Sequence, residues 1–208
     1  MLINCKILAF SCVAPISQIL PFCHFLQHAA SVLNGNLIRN THDSHERHLK
    51  AKLEAFKRGV DALRRCAEIG ADLGMVVALQ NHSGLTSTGD DMLRFHKAVS
   101  HPNFALVLDT GHFTGRDGPR GPKQEGHTYD NYYRSLEQVA PLAPFVRVKL
   151  YQVDEQGREK FIDYKRVFDI LRGIHYNGHC SLVYEGTEDE LEAIPRGARF
   201  LRRMMAAA

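Results

Sequence analysis

The sequence predicts an α/β fold built on a parallel sheet, and three observations carry that prediction. Strand-like and helix-like stretches alternate from one end of the 208 residues to the other. The strand-like stretches are continuous apolar runs rich in Val and Leu, too short for helices, and such runs call for burial on both faces. Polar residues cluster where each run ends, which is where parallel α/β folds gather their chemistry. The alternation admits either a doubly wound sheet or a barrel.

Taken in order, Lys6 to Phe10 reads as a first buried strand ended by Pro15, and Asn36 to Arg39 as a second. A long helix follows from about Ser44 to Leu73. There Leu49, Leu53, Phe56, Val60, Leu63 and Ala67 recur at spacings of 4, 3, 4, 3 and 4, one apolar stripe facing a sheet. Asp43 or Ser44 supplies the N-cap and Gly74 the stop. Met75 to Leu79 is the next strand. A helix from Gly89 to Val99 follows Ser87-Thr88 and halts at His101-Pro102. Strands at Phe104 to Leu108, Phe145 to Leu150 and Cys180 to Tyr184 alternate with helices at Tyr129 to Val139, Asp163 to Arg172 and Glu188 to Met204, giving six strands in all.

Composition bounds the function. With 44% hydrophobic and 24% charged residues, the chain suits a single domain over residues 1–208. A formal charge of +3 without a basic cluster argues against a nucleic-acid partner. No run reaches the roughly 18 apolar residues of a membrane span, and the weak signal-like start, with only Lys6 as its basic region, reads better as the first strand. Five Cys without any CxxC pairing indicate neither a disulfide framework nor a Cys-rich zinc site, so a reducing cytoplasm is expected.

The strand ends hold the candidate residues. The Met75 run ends in Gln80-Asn81-His82, the Phe104 run in Asp109-Thr110-Gly111-His112, the Phe145 run contains Arg147 and Lys149, and the last run ends in Tyr184-Glu185. An acid leaving a buried strand with a His three residues on can present oxygen and imidazole to one ligand or cation. The loop Phe113 to Thr128 carries Arg116, Arg120, Lys123 and His127 among four Gly and two Pro and reads as a solvated loop beside that site. His42, His45 and His48 share a helix face but lack a completing carboxylate or Cys, and read as a solvated face. Hydrolase elbow, Walker loop and dinucleotide fingerprints are absent.

Four motifs in order, Val77 to Ser87, Asn103 to His112, Val146 to Lys149 and Gly178 to Gly186, resemble the sugar phosphate isomerase/epimerase group of the xylose isomerase-like TIM barrels, from about Gly35 to Met204. The resemblance implies a (β/α)8 barrel whose last four strands each give one ligand to a divalent metal (Mn, Mg, Co or Zn). It implies a small sugar or sugar phosphate as substrate, and proton abstraction next to a carbonyl. Carried over residue by residue, the four ligand positions are Gln80, Asp109, Arg147 and Val183. The resemblance further assigns Glu185, Lys149 and His112 to catalysis, Asn81, His82, His112 and Arg147 to substrate, and Asp109, Gln80 and Glu185 to metal, Glu185 as a displaced substitute two residues beyond Val183.

This chain departs from that pattern at three of the four ligand positions. Gln80 keeps an oxygen without charge, Arg147 brings a positive charge and Val183 has no donor. A guanidinium about 4 Å from a divalent ion opposes it by roughly 8 kcal/mol at an effective dielectric near 20. Weak or no metal is therefore expected unless Arg147 turns away, with Arg147 paired to Asp109 or Glu185 instead. The chain is also shorter than the roughly 250 residues usual for such a barrel. About six strands are then expected, an N-terminally truncated barrel with an open edge through which it could form a homo-oligomer. The function expected is that of an isomerase/epimerase family member of doubtful activity. The alternative is a non-catalytic sugar-binding or interaction protein assembled through that edge. A multinuclear nuclease on the same barrel would need more His and carboxylate ligands than the strand ends hold.

Overall fold

Every apolar run that falls within the described residues forms a strand. The structure, a computed structural model, describes residues 6–11, 45–82, 84–113 and 129–206. Its elements are β1 (Lys6–Ser11), α1 (His45–Asp72), β2 (Met75–Gln80), α2 (Gly89–Val99), β3 (Phe104–Asp109), α3 (Tyr129–Val139), a 3-10 turn (Ala140–Leu142), β4 (Phe145–Leu150), α4 (Tyr164–Gly173), β5 (His179–Tyr184) and α5 (Glu190–Ala206). The expected strand at 36–39, the helix cap at Asp43 or Ser44, His42 and the loop cations Arg116, Arg120, Lys123 and His127 lie outside the described residues. The chain divides into two compact units, Met1–Leu106 and Val107–Ala208.

In the first unit β2 is the buried strand, with Met75, Val77, Ala78 and Leu79 at 3% exposure or less. α1 buries Val60, Leu63, Cys66 and Ala67, but Leu49 and Leu53 stand about half exposed, so the apolar stripe packs over only part of its expected length. The lengths explain this. A helix of 28 residues is about 42 Å long, whereas the six-residue β2 spans about 20 Å. Thr88 caps α2 by accepting from the Asp91 N–H at 3.1 Å, and Arg64 donates to the last carbonyls of that helix, Ala98 and Val99. β1 pairs with β2 antiparallel, from Lys6↔Gln80 to Ser11↔Met75, which corrects the expectation that every strand runs parallel. A short apolar run carries no signal of direction, because either sense of pairing satisfies the same ladder.

In the second unit β3, β4 and β5 run parallel, with Asp109 beside Arg147 and β4 in register with β5 from Phe145↔His179 to Leu150↔Tyr184. Helices α3, α4 and α5 bury Tyr132, Leu136, Val139, Val167, Phe168, Leu171, Phe200 and Leu201. Each large apolar side chain so buried contributes roughly 1.5–3 kcal/mol. The helix-facing side of β4 is Val146, Val148 and Leu150, all 0% exposed, and Gly197 of α5 lies so close that a Cβ there would sit 2.8 Å from Leu150 Cδ1.

Burial on both faces, expected of every strand, is incomplete on β4, where Phe145 and Arg147 are intermediate but Lys149 is 0% exposed, and fails on β5. Side chains alternate along a strand, so Arg147 and Lys149 occupy the face of β4 opposite the helices. β5 is nowhere fully buried: His179 is exposed and the other five residues are intermediate. Among the described residues β5 pairs with β4 alone, and Ser181, Val183 and Glu185 share the face that carries Arg147 and Lys149.

Candidate functional site

The register of the second unit assembles the site. Asp109 ends β3 directly beside Arg147, whose partner on β5 is Ser181, and one layer further along Lys149 stands beside Val183. The β4–β5 ladder runs one step past the strand, where the Glu185 N–H donates to the Leu150 carbonyl at 2.8 Å. Three parallel strand ends thereby bring Asp109, His112, Arg147, Lys149 and Glu185 to one place.

Lys149 is the centre of that group. Its Nζ donates to Glu185 Oε1 at 2.5 Å and lies 3.4 Å from Asp109 Oδ2, and its side chain is 0% exposed. On the same Asp109 oxygen, Arg147 Nε stands at 3.7 Å and His112 Nε2 at 3.8 Å. The Gly111 N–H donates to the other oxygen, Oδ1, at 2.8 Å. Burial pushes the Asp109 carboxyl above its ordinary range, and Lys149, the Gly111 N–H and Arg147 draw it partly back. The lysine stem reaches this position because residue 111 is Gly: a Cβ there would lie 2.6 Å from Lys149 Cγ.

A second layer of hydrogen bonds fixes the strand ends. Thr110 Oγ1 accepts the Lys149 N–H at 2.9 Å and donates to the Arg147 carbonyl at 3.3 Å, while the Thr110 carbonyl accepts from Tyr132 Oη at 2.8 Å. Tyr164 Oη lies 2.7 Å from Thr110 Oγ1 and donates to the Lys149 carbonyl. Full burial drives the Tyr164 phenol well above its usual range, so it stays a neutral donor. Tyr164→Phe leaves the Lys149 carbonyl short of a donor. It should cost about 1–2 kcal/mol in a urea unfolding curve, and an unchanged midpoint would show that this bond does not hold the strand ends.

The loop after β4 is organised by Glu159, whose carboxylate accepts the backbone N–H groups of Tyr151, Gln152, Phe161 and Ile162. Burial raises the Glu159 carboxyl despite those four donors. Beside this loop, Tyr151, Gln152, Phe161, Glu185, Gly186, Thr187 and Glu188 line a cavity of about 170 Å³. Glu185, 30% exposed, is the more accessible of the two carboxylates, since Asp109 is 0% exposed.

Of the remaining expected site residues, Gln80, Asn81 and His82 lie at the carboxyl end of β2 in the first unit. Gln80 and Asn81 are fully buried, and the His82 N–H donates into a turn at Thr86. Thr110, Tyr132, Tyr164 and Glu159 support the second-unit site without having been singled out in the sequence. No local pattern marks Tyr164, whereas Thr110 lies inside the Asp109–His112 motif.

The positions at which the resembling family holds a divalent metal do not fit one here. They carry an amide, one carboxylate, a guanidinium and an isopropyl group, and the carboxylate already has an ammonium and a guanidinium within 4 Å of one oxygen. Among the described residues, no group of three or more His, Cys, Asp or Glu side chains could hold a metal ion.

The comparisons with known proteins agree with this architecture. No curated protein matches the chain. D-Psicose 3-epimerase from Clostridium cellulolyticum H10, solved with D-tagatose, superposes with a TM-score of 0.60 at 14% identity, covering 91% of this chain and 70% of that one. 3-Keto-D-glucoside 4-epimerase from E. coli gives 0.54 at 18% identity, covering 81% and 57%. A xylose isomerase-like TIM barrel protein from Mycobacterium smegmatis in complex with magnesium gives 0.51 at 16%, covering 81% and 53%. The chain thus spans between about half and 70% of the length of these neighbours, and at such identities they speak for the fold. The family model described as xylose isomerase-like TIM barrel matches residues 16–204, nearly the whole sequence, and the chain belongs to that family.

Proposed function

We propose that the chain binds a monosaccharide or sugar phosphate at the carboxyl ends of β4 and β5, and that its chemistry is proton transfer next to a carbonyl with Glu185 carrying the proton. The observation that supports this reading is Glu185 itself. It is a partly exposed carboxylate on the wall of a small cavity that also holds the aromatic rings of Tyr151 and Phe161. An aromatic wall packs against the C–H face of a sugar, and carboxylates accept from its hydroxyls. Lys149 is fully buried outside that cavity, and its fixed positive charge acts on the ligand through Glu185, which it holds at 2.5 Å. Arg147 and His112, both partly exposed, stand beside Asp109 outside that cavity and are the groups that a phosphate reaching past Glu185 would meet. Sugar epimerases among the structural neighbours, which share the fold, support a sugar as the ligand class. The free thiols of Cys66 and Cys180 go with a reducing, cytoplasmic setting.

A second reading, binding without turnover, is favoured by the 2.5 Å Lys149–Glu185 bond, because the carboxylate that would take the proton is already accepting from an ammonium. One experiment separates the two. Free ketoses and their phosphates are screened by saturation-transfer NMR, and each binder is then incubated in D2O to follow exchange of the C–H next to the carbonyl. Binding with slow exchange, and exchange lowered at least about 100-fold in Glu185→Gln while affinity stays within tenfold, supports proton transfer. Binding with no exchange leaves the binding-only reading. Failure of every sugar to bind overturns both.

A further inference from the structure

We propose that the chain forms a two-fold homodimer in which β5 pairs antiparallel with β5 of a second copy, the axis passing at Leu182, and α5 packs antiparallel on α5 of that copy directly above. Dimerisation of this kind requires no ligand in the cavity beside Glu185.

The strand supplies the first half of the contact. The N–H groups of His179 and Glu185 donate to the carbonyls of Pro144 and Leu150 at 3.0 and 2.8 Å, so by alternation His179, Ser181, Val183 and Glu185 turn their main chain to β4. Cys180, Leu182 and Tyr184 turn theirs to the outer edge, where no main-chain partner meets them among the described residues. That edge lacks what keeps edge strands apart, since residues 180–184 hold no Pro and no charge. Its bonding is self-complementary. Placed antiparallel about Leu182, the strand sets Leu182 opposite its own copy and Cys180 opposite Tyr184, and each of these pairs exchanges both of its outward hydrogen bonds.

The helix supplies the second half. Leu191, Ile194, Ala198, Leu201 and Met205 recur along α5 at spacings of 3, 4, 3 and 4, yet Leu191 is 84%, Ile194 43% and Met205 54% exposed. This stripe lies on the flank away from α4, whose Tyr164 ring meets Phe200 at 5.5 Å and whose Arg172 donates to the Met204 carbonyl. Its far end borders β5, because Met205 and Cys180 line one cavity. Its middle lies above Leu182: a Cβ on Gly197 would be 3.0 Å from Leu182 Cδ1 and 2.8 Å from Leu150 Cδ1. A single axis therefore serves both layers. With α5 over the β4–β5 pair and strands about 4.8 Å apart, the two copies of α5 come to about 10 Å from each other, an ordinary packing distance for helices.

Charge selects a second copy over an unrelated partner. α5 begins acidic, at Glu190 and Glu192, and ends basic, at Arg199, Arg202 and Arg203. An antiparallel pair of such helices sets an acidic end against a basic end twice and opposes their dipoles.

Sedimentation of the full chain tests this. At about 100 µM the wild type should run as a dimer of the 23.5 kDa chain. Ile194→Lys sets an ammonium against Arg202 of the second copy and should weaken the dimer at least tenfold, and the double variant I194K/R202E, which restores opposite charges there, should recover most of that loss. Hydrogen exchange reads the strand: the amides of Cys180, Leu182 and Tyr184 should be at least tenfold better protected in the wild-type dimer than in monomeric I194K, whereas those of Ser181 and Val183, bonded to β4, should change little. A wild type that stays monomeric would overturn the proposal. So would a dimer that Ile194→Lys leaves intact, assemblies larger than two, since an isologous contact closes at the dimer, or outward amides equally protected in the monomer, since the chain itself would then cover the edge. Leu191→Lys, at a position 84% exposed and facing the same basic end, gives the same readings should Ile194→Lys not fold.

Discussion

Lys149→Met should be the most damaging single change in the second unit, lowering stability by about 3–5 kcal/mol. Methionine nearly fills the volume of the lysine stem, so packing against Gly111 survives and the loss is electrostatic. What remains is Asp109, 0% exposed, with Arg147 still beside it, and a Glu185 whose short hydrogen bond has gone. The damage should depend on pH in a defined sense. Burial already raises the Asp109 carboxyl above its ordinary value of 3.8, so its folded form holds a proton more tightly than its unfolded form. A group shifted upward contributes stability that is present below the unfolded pKa and lost as pH rises through the folded one. Removing the ammonium raises the folded value further, so the gap between variant and wild type should be small near pH 4 and widen toward pH 7. Urea unfolding at both pH values checks this. An equal loss at the two would mean that Lys149 stabilises by packing, and that Asp109 is not the group left stranded.

The parts of this molecule legible from sequence are those in which neighbours along the chain decide the outcome. Five strands and five helices within the described residues fall within two residues of where apolar runs and caps place them, since Thr88 and Asp163 sit immediately before α2 and α4 and accept from the N–H groups of Asp91 and Arg166. The meeting of Asp109, Arg147, Lys149 and Glu185 in the second unit was legible too, because parallel strands place their carboxyl ends together whatever the detail of packing, whereas Gln80, expected with them, lies in the first unit. What could not be read needed distances between residues far apart in the chain. Tyr164 reaches Thr110 across 54 positions, and nothing around either residue announces the other. The direction of β1 depends on which strand edge it finds rather than on its own six side chains. Leu49 and Leu53 continue the periodicity of α1 faultlessly, yet stand half exposed, because periodicity reports which face is apolar and not how far the partner extends. Lys149 was legible as a polar residue on a strand, but its place between two carboxylates follows from a register in which Val183 stands beside it and Glu185 lies one step beyond.

Gly186→Ala tests the other wall of the cavity and should cost about 3 kcal/mol, the upper end of ordinary overpacking. The added methyl would lie 1.9 Å from the Tyr151 carbonyl oxygen and 2.2 Å from Tyr184 Oη. Neither neighbour can yield cheaply. The carbonyl is backbone at the end of β4, next to the residues whose N–H groups are gathered by Glu159, and Tyr184 Oη accepts the Glu188 N–H at 3.0 Å. Gly157→Ala makes the informative control. Its methyl would fall even closer to a neighbour, 1.7 Å from Arg203 Nη2, but that neighbour is the tip of a long exposed side chain, held only by its bond to the Gly157 carbonyl at 3.0 Å among the described contacts. The cost there should be mostly the backbone conformation, φ +76°, and about 1–2 kcal/mol. The two variants therefore invert the order that distance alone would give. Thermal unfolding should show Gly186→Ala shifted further down than Gly157→Ala, with a loss of the proposed ligand binding in the first and none in the second, because of the two only residue 186 stands on the cavity wall beside Glu185. Equal shifts would indicate that the β5 end moves freely away from Tyr151, and a cavity with so yielding a wall could not hold Glu185 in place against a ligand.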